Sequence, residues 1–280
     1  MAQLIQIRQR IKAIETIKKI THAMRLVAMS THTRLKSRES SLSRFQEASR
    51  ELMTILLQTN SSWIPSSKRL SDNHAPKELV ILIGSQKGLC GNFNSSLCYL
   101  FEEQYSQTDQ SNTEFITVGK RAYEYLTLKR NTLPIHSFND LSIRTLSPIT
   151  QHLWKIINRS GYTNVQVVST LSESFFVQKP TVTSLFDWYD SQHQPASIAH
   201  DYYQEDSLDE VMNTLEATIV VGRLEYLIFQ SLLAEQAARF VSMDAATRNA
   251  DNLLDQSKLS YNKLRQALIT KELTELTGSF

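Results

Sequence analysis

Apolar and small residues recur at steps of three and four over two long stretches, one at each end of the chain. In the first, Leu4, Ile7, Ile11, Ile14, Ile17, Ile20, Met24 and Val27 are followed by Leu35, Leu42, Phe45, Leu52 and Leu56. In the second, Leu208, Val211, Leu215, Ile219, Gly222, Tyr226, Phe229, Leu233, Ala237, Phe240 and Met243 are followed by Ala250, Leu253, Tyr261, Leu264 and Leu268. Such spacing puts each set on one stripe of a helix. The pattern predicts helices over 1–57 and 207–277. The steps of three from Ile11 through Ile14 and Ile17 to Ile20 read as a stammer, which would overwind a coiled-coil seam locally. At 1.5 Å per residue the second helix would run on the order of 100 Å. A compact core cannot hold a helix of that length, so it requires a partner helix. The first helix supplies one, antiparallel, if the middle of the chain is an insertion joining their ends. The longer C-terminal helix should then project past its partner.

The middle is set apart by its helix breakers. All six prolines lie between Pro65 and Pro195, and five of the seven glycines lie between Gly84 and Gly161. The polar, Pro/Ser-rich residues 58–76 read as a linker. Beyond it, strand and helix patterns alternate over 77–195. Strands are expected at Lys77–Gly84, Glu114–Gly119, Thr132–His136 and Asn164–Thr170. A last apolar piece, Ser174–Val177, leads over Pro180 to Thr181–Phe186. Helices are expected at Asn94–Tyr105, Lys120–Arg130 and Leu146–Ser160. This alternation predicts a parallel or mostly parallel sheet covered by helices. The fold class is therefore α/β: a long antiparallel two-helix coiled coil formed by the termini, with an inserted Rossmann-like domain. The domain boundaries expected are 1–57, 58–76, 77–195 and 207–280.

Composition narrows the partners. Net charge is +2, with 41% hydrophobic and 21% charged residues, so bulk charge selects no partner. Residues 1–57, however, carry eleven Lys and Arg against four Glu. That basic rod suits acidic protein better than nucleic acid, because no stacking aromatics or recognition motif accompany it. No run of eighteen apolar residues predicts a membrane span. Cys90 and Cys98 fit a reducing compartment.

Catalytic chemistry finds no support. The turn from Gly84 to Asn92 follows a strand and leads into a helix, where phosphates often bind. Its glycines at 84, 88 and 91 match neither GxGxxG nor GxxxxGK followed by Ser or Thr. The seven histidines show no HExxH spacing, and no GxSxG surrounds a serine. Neither cofactor nor metal is expected.

Four blocks resemble one family, the gamma subunit of F-type ATP synthases. They are Ile7–Met24 with its Lys-Ile-Thr-x-Ala-Met ending, Gly88–Asn94 (GLCGNFN), Glu235–Met243 running on to Ala250, and Tyr261–Glu275. They cover both helices and the insertion. The resemblance implies a non-catalytic rotor shaft of a proton- or sodium-translocating synthase. It would turn inside a hexamer of alpha and beta subunits and stand on the membrane c-ring with the epsilon subunit. It would be peripheral at the cytoplasmic face of a bacterial inner membrane. By the same resemblance, Arg265 and Gln266 would catch a beta-subunit loop, and Lys18, Lys19, Met24 and Arg25 would face the hexamer. Tyr202, Tyr203, Gln204, Glu205 and Asp206 would meet the c-ring and epsilon. The chain departs from the family at Gln86-Lys87, at Thr31–Arg34 and at Glu205, where a proline is usual nearby. Those departures keep two rivals open: the shaft of a paralogous F-like ATPase with a specialised task, and a nucleotide-binding α/β protein with a tethering coiled coil.

Overall fold

The computed structural model describes residues 2–59, 63–65, 77–106, 112–187 and 207–277. In order, the elements are α1 (Ala2–Thr59), β1 (Glu78–Ile83), α2 (Phe93–Tyr105), β2 (Thr113–Val118), α3 (Lys120–Leu128) and β3 (His136–Phe138). They continue with α4 (Leu146–Ser160), β4 (Asn164–Ser172), β5 (Gln178–Ser184) and α5 (Leu208–Thr277). Two compact units emerge, residues 1–31 with 239–280, and residues 32–238.

In the first unit the two helices pair antiparallel. The seam on α1 is Ile7, Ile11, Ile14, Lys18, Thr21, Arg25 and Ala28, all buried or half-buried. Its steps alternate four and three without interruption, the heptad of a coiled coil. The stammer expected from the apolar residues is absent, because Ile17 and Ile20 lie outside the seam, each 53% exposed. Polar Lys18 and Thr21 hold those rungs instead. On α5 the seam runs through Met243, Thr247, Ala250, Leu254, Ser257, Tyr261, Leu264 and Leu268. Leu254 takes the position expected of Leu253, which faces outward. At this register Ala2 falls level with about Ala267, so Ile269 and Leu273 lie past the start of α1 and are exposed.

The second unit holds a five-stranded sheet in the order β3-β2-β1-β4-β5. The first four strands are parallel, and β5 runs antiparallel to β4 at the edge. Order and direction are those of a doubly wound sheet with one added edge strand. Alternation along each strand sorts the faces. Val80, Leu82, Phe115 and Val168 pack on α2 and α3. Leu79, Ile81, Ile83, Ile116, Val165 and Val167 pack on α4 and on α5 around Val220–Leu233. Thus α5 is buried nearly all round between Ile219 and Ala238. Within Leu208–Glu275 one eighteen-residue window is apolar enough to cross a bilayer, but 67% of it is buried inside the protein.

The third strand lies at His136–Phe138, not at Thr132–His136. Pro134 has no N–H to give a ladder, and pairing with β2 begins only at His136. Ser174–Val177 is a tight turn closed by reciprocal backbone bonds, not a strand. The strand that follows accommodates Pro180 because β5 is an edge. Gly119 is fixed by contact: at φ 94° a Cβ there would stand 2.3 Å from the Gly84 carbonyl oxygen, so β1 and β2 could not both end as they do. Most of the expected linker lies outside the described residues. Within it Trp63 is buried against Met53, Leu56, Met212 and Ile219, and its Nε1 donates to Asn213 Oδ1 at 3.3 Å.

Candidate functional site

Helical spacing brings complementary polar groups level across the seam of the first unit. Arg8 Nη2 donates to the Tyr261 hydroxyl at 2.9 Å. Lys18 Nζ lies 2.5 Å from Asp251 Oδ1, and Arg25 Nη1 lies 2.6 Å from Asp244 Oδ1. Between these ion pairs, the buried Thr247 hydroxyl sits 2.9 Å from Thr21 Oγ1 and 2.7 Å from the Met243 carbonyl. Steps of 10, 3 and 4 along α1 meet steps of 10, 4 and 3 back along α5, so one register satisfies all four rungs. Asp244 also bonds Arg248. The Arg25 hydrogen bond, aided by Arg248, holds its carboxyl below the usual range. Ile14, Ala250 and Leu254 close the apolar layer with Ile11.

The proposed contact residues divide into two kinds. Lys18 and Arg25 already have partners on α5, and Met24 is half-buried beside them. Lys19, Arg265 and Gln266 point to water. Tyr202, Tyr203, Gln204, Glu205 and Asp206 lie outside the described residues. A larger feature escaped the apolar pattern: Ile17, Ile20, Leu26, Val27, Leu253 and Leu259 are all exposed, Val27 at 65%. Of these, Ile17, Ile20, Val27 and Leu253 looked like seam by their apolarity. A strict heptad laid from Ile7 would have shown Ile17, Ile20 and Val27 facing outward.

In the second unit the glycine turn after β1 is closed by its own residues. Ser85 N donates to Asn94 Oδ1 at 3.1 Å, and Asn94 Nδ2 donates to Ser85 Oγ at 2.8 Å and approaches Cys90 Sγ at 3.2 Å. Phe93 N, at the start of α2, donates to the Cys90 carbonyl. These donors are spent internally, unlike those of a phosphate cradle, whose N–H groups point at the ligand. Cys90 and Phe93 pack on Ala234 and Ala238 of α5, so the turn fastens the sheet to the long helix. Leu89, at φ 64°, stands 60% exposed on its crest. No group of three His, Cys, Asp or Glu side chains could hold a metal among the described residues.

Polar seam groups recur in this unit. Glu39 accepts from Gln230 Nε2 at 2.9 Å and pairs with Lys36. Burial alone would raise its pKa, but Lys36 and Gln230 outweigh it and the net direction is down. His32 is buried with its ring edge-on to Phe175 at 4.8 Å. Burial first, then Lys36, lower its pKa, and Glu39 opposes them.

Comparison with known proteins matches residues 3–280 to the family described as ATP synthase. The ATP synthase gamma chain of Clostridium perfringens is 31% identical over 99% of this chain and 97% of its own. That of Polynucleobacter necessarius is 27% identical over 99% of this chain and 98% of its own. Among solved structures, a chain of the Euglena gracilis mitochondrial ATP synthase superposes with TM-score 0.71 at 18% identity. It covers 99% of this chain and 93% of that one, a likeness of fold.

Proposed function

The chain belongs to the ATP synthase gamma family, the central rotor stalk of the F-type enzyme, and on that premise we propose that it transmits torque without catalysing a step itself. The observation that carries this reading is the division of the helix pair into a filled interior and an apolar, basic exterior. Ile17, Ile20, Leu26 and Val27 face outward near Lys12 and Lys19. Large apolar side chains left exposed along one helix suit a partner's footprint, and the basic residues favour an acidic partner while remaining screened by water. The sleeve around the pair is the hexamer of alpha and beta subunits. Its beta levers meet Lys18, Lys19, Met24 and Arg25 on α1 and a beta loop meets Arg265 and Gln266 on α5. Arg25, tied to Asp244, acts there as a positioning residue. Residues 202–206 meet the c-ring and epsilon subunit, which hold the chain peripherally at the cytoplasmic face of a bacterial inner membrane. A seam closed by apolar layers and matched rungs lets the pair turn as one body.

Pull-down of the tagged full chain from its own cells tests the reading. Alpha and beta subunits are expected, with ATPase activity that falls when residues after Leu264 are removed. Recovery of neither subunit would overturn it.

A further inference from the structure

A cleft of about 610 Å³ opens in the unit of residues 32–238. Its size lies within the range of small-ligand sites, roughly 300–1,000 Å³. One wall is a stripe of α1 that includes Ser43, Glu47, Arg50, Glu51 and Thr54. The other is Arg223, Tyr226 and Leu227 of α5, with Leu171 and Thr183 from the sheet.

Two guanidinium groups line this cleft. The Arg223 side chain is only 10% exposed, and its Nη1 lies 2.5 Å from Asp187 Oδ1. Arg50 is half-buried on the facing helix. Burial, then the like charge of Arg223, pull the Arg50 pKa down, opposed by Asp187 and Tyr226. Asp187 is half exposed and is the carboxylate paired with Arg223. No ion pair joins Arg50 to Glu47 or Glu51 among the described residues, and both of those carboxylates are exposed to water. Neither arginine belongs to the helix seam, which passes through Gln46, Ser49 and Met53. Asp187 neutralises Arg223 and offsets part of the repulsion, which leaves the partly desolvated Arg50 guanidinium as the charge that gains from a further anion.

We propose that this cleft binds a phosphoryl oxyanion, with Arg50 and Arg223 as its donors and Tyr226, Leu227 and Leu171 as a bed for an attached organic group. A guanidinium presents its N–H groups in a planar fork that matches phosphate geometry. The hydroxyls of Ser43 and Thr183 supply further donors, whereas that of Thr54 is spent on the Arg50 carbonyl. Tyr226 and the two leucines supply the apolar part of the lining. Glu47 and Glu51 oppose the anion from the rim, so removing either charge should tighten binding.

Inorganic phosphate and a nucleotide share the phosphoryl head, and titration calorimetry on the full-length chain separates them. Phosphate and ADP are expected to bind, and adenosine, which lacks the head, is not. Arg50→Gln should weaken both by tenfold or more, and Glu47→Gln should tighten both a few-fold. Circular dichroism confirms that each variant is folded. ADP binding more tightly than phosphate, with the difference lost in Tyr226→Ala, supports the apolar bed; equal affinities would overturn that part. Absence of saturable phosphate binding to the folded chain would overturn the site. So would unchanged affinity in Arg50→Gln, or adenosine binding as well as ADP.

Discussion

The two long helices are built on one repeat yet are used differently in the two units. Over 2–31 and 239–277 each buries a single seam and leaves large apolar side chains in water. Over 32–238 the same α5 is covered on several faces, by α1, by the sheet and by α4. A heptad therefore specifies where two helices meet, and it is silent about what else covers them. Apolar residues of α5 outside the seam are core in one unit and exposed surface in the other, whereas on α1 Phe45 and Leu52 stay exposed in the second unit too.

Substitutions off the seam should break that equivalence most sharply. Ile228, 0% exposed, lies beside the stripe in the multiply covered stretch, and Ile228→Ala should cost about 2–5 kcal/mol of stability. Leu253→Ala, 44% exposed in the other unit, should stay within about 0.5 kcal/mol in the isolated chain. Denaturant unfolding followed by circular dichroism measures both. Equal losses would mean that the two units bury their off-seam residues alike.

Within the first unit, buried and exposed rungs should differ by less. Thr247→Val removes the hydroxyl contact to Thr21, which keeps its own bond to the Lys18 carbonyl, and should cost about 0.5–1.5 kcal/mol. Lys18→Ala breaks an ion pair about two-fifths exposed on each side, worth about 0–1 kcal/mol after screening. A larger loss from Lys18→Ala than from Thr247→Val would show that charge, not the buried layer, sets the register.

The smallest effect is expected at His32, in the second unit. Its folded pKa lies below the usual 6.5, so acid favours the unfolded chain, which takes up the proton first. The contribution is intact above pH 6.5 and is lost as pH falls toward the lower folded value. Stability measured between pH 7 and 5 should decline, and His32→Gln should flatten that slope. An identical slope in the variant would assign the decline to other groups.

Much of this was legible in advance. Breaker-free ends and a punctuated middle gave the helix–insertion–helix order, and short apolar runs located β1, β2 and β4. The seam was harder, because Lys18, Thr21, Arg25, His32 and Glu39 sit inside it. Apart from His32, which meets Phe175, their burial depends on partners some 190 to 235 positions away, and no local pattern records those partners. The edge strand β5 was blurred by Pro180. The anion cleft joins residues from α1, the sheet and α5, a meeting that only the folded chain reveals.

The polar rungs also limit how the pair could slip. Slide α5 by seven residues, and Arg25 meets another aspartate, Asp251. The same move sets Lys18 against Lys258 and turns the Thr21 hydroxyl onto Leu254. One contact is regained while like charges collide and the Thr21 hydroxyl, left only its bond to the Lys18 carbonyl, meets a leucine, so that neighbouring register is a poor notch to drop into under load.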